Sequence, residues 1–149
     1  MGRSSQIYRK SLRRPAVLAW LRLARVFQKI DTVSERFFRS QELNTAQFDI
    51  LSRVGASAGI SQQELATALL VTKGNISQLL TKMEQDGLVT RRQEGRTNCL
   101  SLTDKGHALF QRVVPQQEAL IANLLAPLSP DEQAELLRLL RKLDRSIVT

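Results

Sequence analysis

A mainly α chain carrying one small β-hairpin is the fold class that three features of this sequence predict. Apolar residues recur at helical spacing along most of the chain, and helix-capping signals stand at the head of successive periodic runs. Only the stretch from Leu88 to Leu102 carries strand-forming residues on both sides of turn chemistry. The 149 residues, 42% of them hydrophobic, suffice for one packed unit and leave no obvious room for a second core.

Residues 1–14 form a basic segment, expected either as a flexible solvated arm or as a phosphate-contacting one. Residues 15–149 are expected to be a single domain. Pro15 suits the first turn of a helix in which Leu23, Val26, Phe27, Ile30, Val33 and Phe37 recur to about Arg39. At 1.5 Å per residue this helix spans roughly 40 Å, more than a small globule needs for one internal element. Dimerisation is one use for it. Trp20, Phe27, Phe37 and Phe38 read as core or interface packing, the alternative being the lining of an aromatic ligand pocket.

Asn44 and Gln47 offer a cap for a helix with Phe48, Ile50, Leu51 and Val54, expected to break at Gly55 to Gly59. Gly59 and Ile60 could add a short third strand to the hairpin. Ser61 and Glu64 make a capping box for a two-turn helix with Leu65, Ala66, Leu69 and Leu70 on its apolar stripe. Thr72 is an N-cap candidate for the next helix, starting near Lys73. Its positions Ile76, Leu79, Leu80 and Met83 are committed to the core. The opposite face carries Gly74, Ser77, Gln78, Thr81 and Gln85, flanked by Lys73, Asn75 and Lys82. Short, hydrogen-bonding and free of acids, it suits base edges and phosphate oxygens.

Gly87 is placed to end this helix. Leu88–Arg92 and Cys99–Leu102 flank turn chemistry running from Glu94 to Asn98 around Gly95, and Arg91, Arg92 and Arg96 make the hairpin basic. Helix, turn, helix and basic hairpin over residues 44–106 describe a winged helix-turn-helix whose second helix reads the major groove. Beyond it, Thr103 caps a helix bearing Leu109, Phe110, Val113, Leu120, Ile121 and Leu124, with a kink or short break expected at Pro115. Ser129-Pro130-Asp131-Glu132 starts a last helix with Leu136, Leu137, Leu140, Leu143 and Ile147 on its stripe. Residues 15–40 and 108–149 thus present more aliphatic surface than the winged module can cover, so they are expected to be dimerisation helices in a two-fold homodimer.

The succession of the Ser61-capped helix, the polar helix after it, Asp86-Gly87-Leu88-Val89, Arg91-Arg92, Glu94-Gly95-Arg96 and Leu102-Thr103-Asp104-Lys105-Gly106 resembles the MarR family of dimeric transcriptional regulators over roughly residues 15–147. The resemblance implies a repressor bound as a homodimer to a pseudo-palindromic double-stranded DNA site. Lys73, Asn75, Ser77, Gln78, Thr81 and Lys82 would then contact DNA from the helix, and Arg91, Arg92, Arg96 and Thr97 from the wing. Arg96 would enter the minor groove while Glu94 orients the wing, in a loop more compact than the family's usual Asp-x-Arg tip. It further implies a small aromatic or anionic effector, for which Trp20, Arg22 and Arg25 are candidate lining residues.

Ten of the basic residues and only two of the acidic ones lie in residues 1–40, while the other 109 residues hold twelve of each sign, so the first 40 carry the whole net charge of +8. Nucleic acid is the expected partner of such a chain, yet the excess lies outside the reading head. One histidine, His107, and one cysteine, with no clustered carboxylates or Gly-rich cradle, give no expectation of catalysis, a metal or a cofactor. With no long apolar run and no leader-like start, the expected location is the cytoplasm, away from any membrane. A rival reading makes Cys99 a redox sensor whose pKa is lowered by Arg91 or Arg92 across the hairpin. Two others make the chain a protein-interaction scaffold or a sequence-indifferent architectural DNA binder.

Overall fold

The computed structural model describes residues 14–69 and 73–148. In chain order its elements are α1 (Pro15–Ser40), α2 (Thr45–Ala56), α3 (Gln62–Leu69), α4 (Lys73–Gln85), β1 (Val89–Glu94), β2 (Thr97–Leu102), α5 (Asp104–Leu125) and α6 (Pro130–Ser146). The mainly α class with a small antiparallel wing is the observed one. Of the basic arm only Arg14 is described, and the cap expected at Thr72 and the apolar position at Leu70 lie outside the described residues.

Local chemistry sets the helix starts. The Asn44 side chain accepts from the Gln47 amide at 2.8 Å while the Asn44 N–H donates to Gln47 Oε1 at 3.0 Å. Ser61 with Glu64 and Ser129 with Glu132 repeat the reciprocal pair. The N–H and hydroxyl of each serine hold the partner carboxyl below its ordinary range.

Helix α2 ends at Ala56, within the break expected at Gly55 to Gly59, and the missing side chain of Gly55 lets the Phe110 ring of α5 lie against the backbone. A Cβ there would meet that ring at 2.4 Å. The expected third strand reduces to a backbone exchange, Gly59 N–H to the Leu100 carbonyl and Leu100 N–H to that of Ile60, beside a single bridge between Ser61 and Cys99. Helix α5 continues unbroken through Pro115. The proline costs one hydrogen bond, to the carbonyl of Gln111, and Gln111 is exposed, so water can take its place.

The hairpin is also tighter than expected. Strands β1 and β2 pair from Val89 opposite Leu102 to Glu94 opposite Thr97, which leaves only Gly95 and Arg96 in the turn. Gly95 has φ 61° and Arg96 has no positive φ, the pattern of a type II′ turn, whose twist matches that of the flanking strands.

The core lies inside the winged module. Ile50, Leu51, Leu65, Ile76, Leu80, Met83 and Leu100 are fully buried, and Phe38 of α1 and Val113 of α5 close it from outside. The Phe38 ring stacks on Phe48 with centroids 4.2 Å apart, and the Gln117 side chain donates to the Ser34 hydroxyl at 2.9 Å, tying α1 to α5. Helix α6 contributes no buried residue.

A single junction joins α4, the wing and α5. The Thr103 N–H donates to the Leu88 carbonyl at 3.1 Å, its hydroxyl donates to the Gly87 carbonyl at 2.5 Å, and that hydroxyl accepts from the Gly106 N–H at 3.0 Å. A Cβ on Gly106 would stand 2.1 Å from the Leu88 carbonyl oxygen, a backbone atom with no room to move. Gly106→Ala is therefore expected to lower the unfolding free energy by about 3 kcal/mol, measured by urea denaturation. A loss below about 0.5 kcal/mol would show that the junction is not tight.

Candidate nucleic-acid interface

Burial fixes the rotation of α4. With Ile76, Leu80 and Met83 fully buried, the opposite side turns Asn75, Gln78, Thr81, Lys82 and Gln85 outward, and all five are exposed. Ser77 is half-buried. Lys73 opens the helix, and its side chain lies outside the described residues. On the wing, Arg92, Arg96 and Thr97 are exposed, with Arg96 at the tip.

Arg91 is placed differently from its neighbours. Its guanidinium grips the carboxylate of Glu84 on α4 through two contacts, Nε to Oε1 at 2.5 Å and the second nitrogen to Oε2 at 3.4 Å. The same guanidinium donates to the Thr81 hydroxyl at 2.9 Å and lies 3.5 Å from that of Ser77. The Thr81 hydroxyl in turn donates to the Ser77 carbonyl at 2.9 Å. Arg91 thus braces β1 against α4 and occupies two of the hydroxyls expected to face a partner. Glu84 was absent from the expected set. Its signal is a lone carboxylate on an otherwise acid-free helix end, seven residues before an arginine that the turn at Gly87 brings back beside it.

The Gln78 side chain makes no hydrogen bond to any described residue, and the Lys82 ammonium makes only an exposed contact with Asp86 at 3.8 Å. Arg92 and Arg96 enter no ion pair among the described residues, and no such pair links Glu94 to Arg96. What reaches solvent together is therefore an amide, several basic side chains and a basic hairpin tip on adjoining elements. Such a set can meet base edges and phosphates with little internal rearrangement.

The MarR family model matches residues 41–97, which run from the end of α1 through the turn of the wing. An uncharacterised HTH-type transcriptional regulator of Bacillus cereus is 36% identical over 129 residues, covering 86% of this chain and 88% of that one. The chain belongs to the MarR family. AbsC, a MarR family transcriptional regulator from Streptomyces coelicolor, shares the fold with a TM-score of 0.81 at 24% identity, over 87% of this chain and 91% of that one. A mutant MarR from E. coli, solved complexed with operator DNA, gives 0.75 at 27% identity, over 86% and 94%.

The remaining candidates of this MarR-family chain do not converge. Trp20 projects some 200° around α1 from Arg22, at 100° per residue, and all three effector candidates are exposed. None of them lines either described cavity, a shallow depression of about 590 Å³ along α6 and a small pocket beside Leu43. His107 is exposed on the first turn of α5. Among the described residues no group of three or more His, Cys, Asp or Glu could hold a metal.

Cys99 contradicts the expectation of a lowered pKa. Burial, then the Glu94 carboxylate whose Oε2 lies 3.6 Å from its sulfur, and then Glu64 push the thiol upward, while Arg91 is occupied by Glu84. A thiol raised in this way stays protonated near neutrality and is a poor nucleophile. Its labelling by iodoacetamide is expected to keep climbing with pH without levelling off below about 9, and an oxidant is expected to act equally on the protein and its Cys99→Ser variant. A labelling plateau near pH 7 would contradict this.

The brace gives a second expectation. Arg91→Ala leaves Glu84 partly buried without its partner and is expected to cost about 1–2 kcal/mol in urea denaturation, while Arg92→Ala stays within about 0.5 kcal/mol of the parent. Equal effects would place both arginines on the same footing.

Proposed function

We propose that this chain is a homodimeric, sequence-specific double-stranded DNA-binding transcriptional repressor acting in the cytoplasm. The observation that carries the reading is the outward polar face of α4, with Gln78 unengaged and Lys82 beside it, next to a basic wing whose Arg92 and Arg96 have no ion-pair partner among the described residues. The operator-bound MarR, of the same fold, supports it. Each α4 enters a major groove and each wing places Arg96 over the adjacent minor groove, where a guanidinium is drawn to the negative potential. Half-sites lie about one helical turn, roughly 10 base pairs, apart.

The homodimer rests on apolar surface that the protomer leaves open. Trp20 and Phe27 of α1 are 63% and 66% exposed, and Leu143 of α6 and Ile147 just beyond it are 52% and 65% exposed. A second copy packed on these helices removes them from water and sets the distance between the two α4 helices. A small effector bound between the helical platform and the winged module shifts that distance, which links its binding to that of DNA. No helix among the described residues is long and apolar enough to cross a membrane.

Selection from a random duplex library tests the reading. The expected product is a pseudo-palindrome preferred about a thousandfold or more over bulk DNA at physiological salt. On that site Gln78→Ala is expected to cost about 1–3 kcal/mol and to relax preference at one base pair, whereas Lys82→Ala weakens all sequences alike. Uniform weakening by both variants would remove Gln78 from the base-reading role. No enriched sequence would leave an architectural binder, and no DNA binding a scaffold.

A further inference from the structure

The charge excess in the first 40 residues has a definite place on α1. Around a helix with 100° per residue, one sector of about 60° holds Leu18, Arg22, Arg25, Lys29, Arg36 and Ser40, and no carboxylate. The four cations are exposed and have no ion pair among the described residues. They run for 14 residues, roughly 21 Å along the axis. The sector lies on the far side of α1 from Ser34 and Phe38, the two residues buried against the rest of the protein. Trp20, Leu23 and Phe27, which the proposed dimer would cover, lie on the other side, while the exposed Leu21 and Val26 border the sector.

An ordinary solvated face interleaves acids with bases at i, i+4 spacing, as Lys82 with Asp86 does on α4, or at i, i+3, as Glu135 with Arg138 does on α6. On α1, Arg22 with Arg25 and Arg25 with Lys29 instead place like charges at neighbouring positions, where they repel. A uniform row of cations, three of them guanidinium groups, is complementary to a uniform row of phosphates. Along one strand of a duplex, roughly 21 Å corresponds to about six phosphates. The reading head itself carries little net charge, since Glu84 and Asp86 stand close to its cations.

We propose that the Arg22–Arg25–Lys29–Arg36 row of α1 is a second, sequence-independent binding surface for the phosphate backbone of double-stranded DNA, separate from α4 and the wing. It supplies general affinity for duplex, and the reading head supplies choice of sequence. The proposal rests on the DNA-binding reading given above. Two sources share this chemistry, the flank of the duplex already held and a second duplex.

The test uses the full chain with Arg22, Arg25, Lys29 and Arg36 all changed to Gln, and a companion in which the three arginines become Lys. Affinity is measured from 50 to 300 mM salt for a site-bearing duplex and for a random duplex, each in a short and a long form, with circular dichroism and sedimentation confirming fold and assembly. The Gln variant is expected to lose about two to four from the slope of log affinity against log salt, near one for each phosphate contact removed. The ratio between the two sequences should stay within twofold, and the Lys companion should keep the parent slope. A loss seen only with long duplexes assigns the row to the flank, and a loss with short ones and a two-duplex stoichiometry assigns it to a second duplex. Should the fourfold variant not fold, Arg22→Gln with Arg25→Gln and Lys29→Gln with Arg36→Gln are tested as separate pairs, each expected to give half the loss.

A parent that binds duplex with a slope the Gln variants leave unchanged overturns the row alone. So does a variant that loses binding to phosphatidylserine vesicles while keeping its DNA slope, which would make the row a membrane contact. A parent that binds no duplex overturns the regulatory reading as well.

Discussion

The packing of two turns against each other at one place governs the rest of the structure. The last carbonyls of α4 are met by the amides of Asp86, Gly87 and Leu88, which leaves the carbonyls of the turn itself and the first amides of α5 to be satisfied. Thr103 serves both, donating its hydroxyl to the Gly87 carbonyl while accepting from the Gly106 N–H, and Lys105 reaches back to the Asp86 carbonyl at 2.8 Å. The negative end of one helix dipole thus meets the positive end of another. Gly106 permits the approach, because any side chain would collide with Leu88. The residues at this contact include the Asp86-Gly87-Leu88 and Thr103-Asp104-Lys105-Gly106 runs that mark the family resemblance, so those runs record a packing constraint before they record any function.

One consequence concerns rigidity. Both ends of the hairpin are fixed at the junction, and Arg91 ties its middle to Glu84, so α4 and the wing form one body with two attachments. A body held in this way cannot adjust its wing independently of its reading helix. Any event that displaces α5 therefore displaces the whole reading surface, which is what a distant effector needs if it is to change the fit to DNA. The same brace restricts the chemistry available for recognition. Thr81 and Ser77 are held by Arg91, so in the proposed complex sequence choice would fall more heavily on Gln78 and on the wing tip.

What was legible in the sequence was what short-range chemistry decides. The Asn44, Ser61 and Ser129 boxes are closed within four residues, and the 3.6-residue period of Ile76, Leu80 and Met83 needs only its own helix to be read. The rest depends on a partner that a turn or the packing of two elements brings alongside. Nothing near Gly55 shows that Phe110, 55 residues later, occupies the place of its side chain. Arg91 reads as a free wing cation until the turn returns it to Glu84. The rival reading of Cys99 counts on a cation across the strand, and although Arg92 is its cross-strand partner, the Glu94 carboxylate stands beside the sulfur. In each case alternation or spacing gave the correct face, and the neighbour on that face decided the chemistry.

The two ends of the chain stand in a different relation to the fold. Among the described residues most of the large, fully buried side chains lie between Ile50 and Leu100, and Phe38 of α1 and Val113 of α5 close that core. Helix α6 has no buried residue, yet Leu136, Leu140 and Leu143 fall in one sector of about 60°, opposite Arg138, Arg141, Lys142 and Arg145. An isolated helix of 17 residues is marginal in water, because nucleation is costly and propagation returns little per residue. Its stability must come from covering that apolar sector, which the protomer does not do. In the proposed homodimer the second copy that displays two α4 helices to one duplex would also keep α6 helical, and assembly and folding at this end of the chain would be one equilibrium.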